Sequence, residues 1–278
     1  MKNQTLALTK PVRVPDILAL KNIRNITALT AYDYLLATLL DQSGVDVILV
    51  GDSLASVVQG HETTLPVTLD EMIYHCKCVT RGVKRALVIG DLPFLSYQPS
   101  IETAILSAGR LLKEGNVSAV KLEGGENVAK IISALTSYDI PVMGHIGLTP
   151  QSFHRMGGHK IQGKSLATNS NQKAGTREQI LKDAKAVEES GAFSVVLEGI
   201  PEDLAKEITK ILTIPTIGIG AGSFCDGQIL VTTDMLGLNT GKTPSFVTKY
   251  ANLAGDIKRA VIEYCDDTIK GERKCENF

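Results

Sequence analysis

Short apolar runs, each closed by a glycine or a polar residue, alternate along the chain with longer segments in which apolar positions recur every three or four residues. The run that sets the pattern is Val45-Asp46-Val47-Ile48-Leu49-Val50-Gly51-Asp52-Ser53. Its β-branched content suits a strand buried on both faces, as in a parallel sheet, with an acid and a hydroxyl held at the exit. Leu87-Val88-Ile89-Gly90-Asp91 repeats the form. Ala119-Val120-Lys121-Leu122-Glu123-Gly124-Gly125 and Ser194-Val195-Val196-Leu197-Glu198-Gly199 vary it. Strands that end in carboxylates on four occasions read as the parts of one site.

The same reading predicts strands over residues 25–31, 45–50, 86–89, 119–122, 141–147, 193–197, 216–219 and 228–231, the last extending towards Met235-Leu236. Helical patterns fall between them, after a short lead-in helix over 14–20. They cover 34–44, a stretch from Thr68, and 101–114, 126–137, 176–190 and 202–212, with two more in the tail over 246–252 and 255–269. Thr68 followed by Glu71 fits a capping box, in which each side chain satisfies a free amide at the helix start. Residues 54–67 read as a loop, and 150–175 as a long polar connection of a length uncommon unless functional or mobile. Eight strands alternating with helices over about 250 residues predict an α/β fold, a (β/α)8 TIM barrel with a short N-terminal lead-in and a C-terminal helical extension. Residues 1–278 read as a single domain, since no shift of composition marks a boundary. A doubly wound sheet is the alternative, because strand order is invisible in sequence. The polar residues gathered at strand exits favour the barrel, where those exits share one face.

Composition narrows the partners. Apolar content of 44% and charged content of 21% are those of an ordinary soluble protein. A net charge of −1 gives no reason to expect nucleic acid or an acidic membrane. No apolar run is long enough to span a bilayer, and residues 1–10 lack the apolar core of a secretory signal, so the expected location is cytoplasmic. Five cysteines, without framework spacing, read as reduced thiols.

Asp52, Asp91 and Glu123 follow neighbouring strands and would meet at the rim. Converging carboxylates raise one another's pKa, and a divalent cation resolves the repulsion. Oxygen ligands without a His or Cys cluster point to magnesium or a similar hard ion rather than zinc, with Glu123 acting through a water. The competing reading has each acid capping a helix or pairing with a lysine. Lys121 lies two residues before Glu123, on the same strand face. It holds a substrate carboxylate, acts as a Schiff-base amine, or only pairs with Glu123. Glu198, on a strand across the ring, is placed for general-base work. His145 reads as a ligand, an acid/base or a satisfied core histidine. Gly218-Ile219-Gly220-Ala221-Gly222 lacks the spacing of a nucleotide fingerprint, and close packing accounts for it better than phosphate.

Several ordered motifs now carry a resemblance. Thr30-Ala31-Tyr32-Asp33, Val50-Gly51-Asp52-Ser53, Thr64-Leu65-Pro66-Val67-Thr68, Asp91-Leu92-Pro93-Phe94, Val120-Lys121-Leu122-Glu123-Gly124, Gly144-His145-Ile146-Gly147-Leu148-Thr149-Pro150-Gln151 and Cys225-Asp226-Gly227-Gln228 resemble the ketopantoate hydroxymethyltransferase family. The resemblance implies a magnesium-dependent barrel of the phosphoenolpyruvate mutase and isocitrate lyase type. It implies transfer of a hydroxymethyl group from 5,10-methylenetetrahydrofolate to 3-methyl-2-oxobutanoate, giving 2-dehydropantoate for pantothenate and coenzyme A. It further implies Mg2+ on Asp52 and Asp91 with Glu123 in its shell, the oxo acid on Asp52, Ser53, Asp91 and Lys121, Glu198 as base, and a homodecamer of stacked pentamers. Two stretches depart from the family pattern: the connection 164–176 is longer, and Val231-Thr232-Thr233-Asp234 lacks the usual histidine before its aspartate. The rivals are a magnesium-dependent carbon–carbon lyase or phosphomutase acting on another 2-oxo acid, a Schiff-base aldolase, and a non-enzymatic scaffold.

Overall fold

The computed structural model describes residues 10–158, 160–164, 175–239, 241 and 243–271. Its strands are β1 (Ile26–Thr30), β2 (Val47–Val50), β3 (Leu87–Asp91), β4 (Ala119–Glu123), β5 (Val142–Gly147), β6 (Ser194–Glu198), β7 (Thr216–Ile219) and β8 (Gly227–Leu230). The successive pairs from β1–β2 to β7–β8 run parallel, and the order β1 to β8 closes on itself. That closure is the (β/α)8 barrel and rules out the doubly wound sheet. The helices are α1 (Val14–Ala19), α2 (Tyr34–Gln42), α3 (Leu54–Val57), α4 (Leu69–Gly82), α5 (Ile101–Lys113), α6 (Ala129–Ser137), α7 (Phe153–Met156), α8 (Arg177–Glu189), α9 (Glu202–Ile211), α10 (Thr232–Met235) and α11 (Leu253–Lys270). The chain divides into two compact units, Met1–Ile229 and Leu230–Phe278.

Strand alternation sorts the core into two layers. Ala28, Val47, Leu49, Leu87, Ile89, Ala119, Met143, Val196 and Ile217 fill the barrel interior together with Ile17 of α1. Ile48, Val50, Val88, Val120, Leu122, Val142, Val195 and Leu197 point outward among the helices. Helix starts are fixed by side-chain caps: Asp33 accepts from the Leu36 amide, Ser100 from that of Thr103, and Thr68 and Glu71 form the predicted capping box. Below the strands, Asp46 accepts from Arg24 at 2.7 and 2.8 Å, from Arg85 at 3.1 Å and from Thr27, tying the entries of the first three strands together.

The departures from the predicted elements are local. The loop over 54–67 contains the helical turn α3. Strand β8 stops at Leu230, and Thr232–Met235 turns into α10 rather than extending the strand. Residues 246–252 are not helical: the Tyr250 and Leu253 amides donate to Met235 and Leu236 carbonyls, so that backbone is used between segments rather than within a helix. The 150–175 connection begins with a 3-10 turn, Pro150–Ser152, and then α7, which Gly157 ends in a left-handed conformation (φ 66°). Most of its longer portion, and with it most of the 164–176 stretch, lies outside the described residues. No described helix is long and apolar enough to cross a membrane.

Candidate active site

At the carboxyl ends of the strands the barrel interior changes from apolar to ionised. Asp91, Glu123 and Glu198 are the final residues of β3, β4 and β6 rather than the first residues beyond them. The register explains what they meet. Asp91 is paired with Lys121 across β3 and β4, Glu123 with His145 across β4 and β5, and Gly147 with Glu198 across β5 and β6. Side chains one step above Ile89, Ala119, Met143 and Val196 therefore project into the same space.

Lys121 Nζ lies 2.8 Å from both Asp91 carboxylate oxygens and 3.8 Å from Glu123 Oε1. The Asp52 amide donates to Asp91 Oδ2 at 3.2 Å, which brings Asp52 beside Asp91. Ser53 Oγ and the Tyr32 hydroxyl are 2.7 Å apart. His145 stands between two acids, with Nδ1 3.4 Å from Glu123 Oε1 and Nε2 3.1 Å from Glu198 Oε2. Among the described residues neither ring nitrogen, nor Glu123 Oε1, completes a hydrogen bond of good geometry, so these contacts are ionic in character. Asp52, Asp91, Lys121 and Glu123 are thus together, Glu198 joins them through His145, and Ser53, next to Asp52 in the chain, meets the Tyr32 hydroxyl.

Two residues that sequence reasoning left without a role complete the floor. Gln151 Nε2 donates to Asp52 Oδ2 and to the Leu92 carbonyl, each at 3.0 Å, and its backbone amide donates to Glu123 Oε2 at 3.0 Å. The Tyr97 hydroxyl is 2.9 Å from both the Glu123 carbonyl and Gln151 Oε1, and accepts from the Glu123 amide at 3.1 Å. The available signal was Gln151 at the end of the motif Gly144–Gln151; nothing local marked Tyr97. His145, read from sequence as a ligand, an acid/base or a satisfied core histidine, is buried with two acids as its neighbours.

Burial raises the Asp52 carboxyl well above its ordinary range, and the charges of Asp91 and Glu123 push the same way. Asp91 is raised too, by burial first, with Lys121 opposing. For Glu123, burial is outweighed by His145 and Lys121, which lower its pKa. Burial would lower Lys121, but Asp91, Glu123 and Asp52 together hold it above its ordinary value. Burial and Lys121 press His145 downward, and Glu123 and Glu198 overcome both and lift it to about 9.

Asp52, Asp91, Glu123 and Glu198 stand against Lys121 and His145, four carboxyl groups to two basic ones in a largely buried place. This donor set, rich in carboxyl oxygens and with more acids than bases, fits a hard divalent cation. Among the described residues no three His, Cys, Asp or Glu side chains already face a common point as ligands.

The comparisons with known proteins converge. The 3-methyl-2-oxobutanoate hydroxymethyltransferase of Syntrophotalea carbinolica is 57% identical over 246 residues, covering 88% of this chain and 89% of the relative. That of Pelobacter propionicus is 54% identical, covering 95% of each chain. Among solved structures, 2,3-dimethylmalate lyase, a phosphoenolpyruvate mutase/isocitrate lyase superfamily member, superposes with a TM-score of 0.63 at 16% identity, covering 96% of this chain and 89% of the other. Phosphonopyruvate hydrolase in complex with oxalate and Mg++ superposes at 0.60 with 14% identity, covering 95% and 90%. At such identities the structural likeness is one of fold. A family model described as ketopantoate hydroxymethyltransferase matches residues 11–272, and with relatives this similar over nearly the whole length, the chain belongs to the ketopantoate hydroxymethyltransferase family.

Proposed function

We propose that the chain transfers a hydroxymethyl group from 5,10-methylenetetrahydrofolate to 3-methyl-2-oxobutanoate, giving 2-dehydropantoate in pantothenate and coenzyme A biosynthesis. The observation that carries this reading is the register that gathers Asp91, Lys121, Glu123, His145 and Glu198 at one end of the barrel, in a chain whose relatives bear that activity's name. Asp52 and Asp91 would hold Mg2+, with Glu123 in its shell. When bound, such an ion supplies Lewis acidity to the oxo acid's carbonyl and a template for its carboxylate.

The chain's own residues divide the remaining work. Lys121, positive because three acids raise its pKa, neutralises charge on the oxo acid; a protonated amine of this kind is a poor Schiff-base nucleophile. Ser53, fixed by the Tyr32 hydroxyl, contacts the substrate's oxygens alongside Asp52 and Asp91. Glu198, its side chain 21% exposed where the neighbouring acids are almost wholly buried, has room to take the C3 proton. His145, against its other side, fixes the carboxylate's direction. The enolate carbon bonds to the one-carbon unit as that unit's two bonds to the folate nitrogens break; water supplies the hydroxyl, and tetrahydrofolate leaves with the C3 proton and one proton of that water on its nitrogens. Residues 1–278 would act as a single barrel domain in the cytoplasm. Self-association is supported by α11, which has no buried residue and exposes Ile257, Val261, Ile262 and Ile269; a decamer follows the family resemblance.

The test is exchange of the substrate's C3 proton into deuterated water, with and without magnesium. Glu198→Gln is expected to bind the oxo acid nearly as well as the unaltered protein and to lose exchange. Undiminished exchange in that variant removes Glu198 from the role of base.

A further inference from the structure

A cavity of about 560 Å³ opens beside Glu123 and Gln151, between the exits of β4 and β5 and the first turns of α8. That volume is typical of small-molecule sites. Ile146, Met156 and Ile180 form an apolar wall, and Glu126, Gln179 and Asp183 a polar one. Asp183 Oδ1 accepts from the Glu126 amide at 3.0 Å and from Gln179 Nε2 at 3.1 Å. Among the described residues Oδ2 has no hydrogen-bond partner. A Cβ on Gly125 would overlap the Asp183 carboxyl, so the bare glycine is what lets the β4 exit and α8 close around this acid. None of these residues belongs to the metal and oxo-acid machinery described above, apart from the Glu123 end of the cavity.

We propose that this cavity receives the bicyclic 2-amino-4-oxo ring of the reduced-folate donor, with Asp183 pairing with its adjacent N–H groups; the inference rests on the functional reading given above. A lining with Glu123, Glu126 and Asp183 against the single cation Arg155, among the described residues, disfavours an anionic head such as a phosphate. A flat ring with two neighbouring N–H donors on one edge matches a carboxylate whose second oxygen has no partner among the described residues, the geometry of paired charge-assisted hydrogen bonds. Burial pushes the Asp183 carboxyl above its ordinary value, and two such donors would offset that desolvation. The apolar wall covers the ring's face, the Glu123 end leads the one-carbon unit towards the oxo acid, and exposed Arg155 lies where an anionic tail would run to solvent.

The experiment measures two quantities on the full chain: the KM for 5,10-methylenetetrahydrofolate in transfer, and C3 proton exchange with the oxo acid and magnesium alone. Asp183→Asn keeps an oxygen for the Glu126 amide and turns a donor against the ring. It is expected to raise the donor KM roughly tenfold or more, the usual effect of losing a charged hydrogen bond, with folate-free exchange within about twofold of the unaltered protein. Met156→Trp, which fills the cavity from a half-buried wall position, is expected to do the same and guards against a folding defect peculiar to Asp183. An unchanged donor KM in both variants overturns the inference and leaves the functional reading standing. Absence of exchange in the unaltered protein overturns that reading, and the inference falls with it.

Discussion

Replacing Lys121 with methionine tests the electrostatic account of the site directly. The stem is nearly conserved in volume, so the perturbation is the loss of one buried cation. Nζ lies 2.8 Å from both Asp91 oxygens, with side-chain exposures of 4% and 1%. Removing one partner of a buried pair costs about 3–5 kcal/mol, and proton uptake by Asp91 would hold the loss near about 3 kcal/mol. The sign with pH follows from direction. The Asp52 and Asp91 carboxyls already lie above their unfolded value of 3.8, so the folded state binds more protons than the unfolded one there. Their contribution is present below that value and is lost as pH rises through the folded values. Without Lys121 the Asp91 window moves further up, so the deficit of Lys121→Met widens as pH rises. Urea unfolding in EDTA at about pH 6 and about pH 8 measures this, with Asp91→Asn and the double variant closing a cycle. A loss below about 1 kcal/mol that is flat with pH and additive with Asp91→Asn would refute the reasoning.

Two further outcomes follow from the same contacts. Gln151→Leu removes the donor to Asp52 Oδ2 and to the Leu92 carbonyl, while the Tyr97 hydroxyl keeps the Glu123 backbone; unfolding should show a loss of roughly 2 kcal/mol or more, and transfer kinetics a raised KM for the oxo acid. Burial works against Asp46, but its bonds to Arg24, Thr27 and Arg85 bring its carboxyl to about 2 from 3.8. A depressed acid contributes stability that is present above the unfolded value and lost as pH falls through the folded one, so Asp46→Asn should cost up to about 2 kcal/mol at neutral pH and progressively less below about pH 4. A deficit that persists undiminished in acid would contradict that account.

Much of the architecture was legible because it depends on local pattern. Continuous apolar runs such as Val47–Val50 mark strands buried on both sides, and Thr68 with Glu71 marks a helix start, whatever the rest of the chain does. At 246–252 the helical pattern lost to a partner that is not local: the Tyr250 amide donates to the Met235 carbonyl. For the site, Asp52, Ser53, Asp91, Lys121, Glu123 and Glu198 could be named from the repeated run-plus-acid form and the resemblance. Tyr97 carried no such mark and Gln151 only its place at the end of the Gly144–Gln151 motif, since the role of both is to satisfy polar atoms supplied by other segments.

The sequence by itself determined that acids would stand at strand ends, because alternation along a strand is a property of each residue's own backbone. Only the tertiary structure decided which acid faces which cation. Strand order and register set whether Lys121 meets Asp91 and whether His145 falls between Glu123 and Glu198, and both come from barrel closure, which joins residues far apart in the chain.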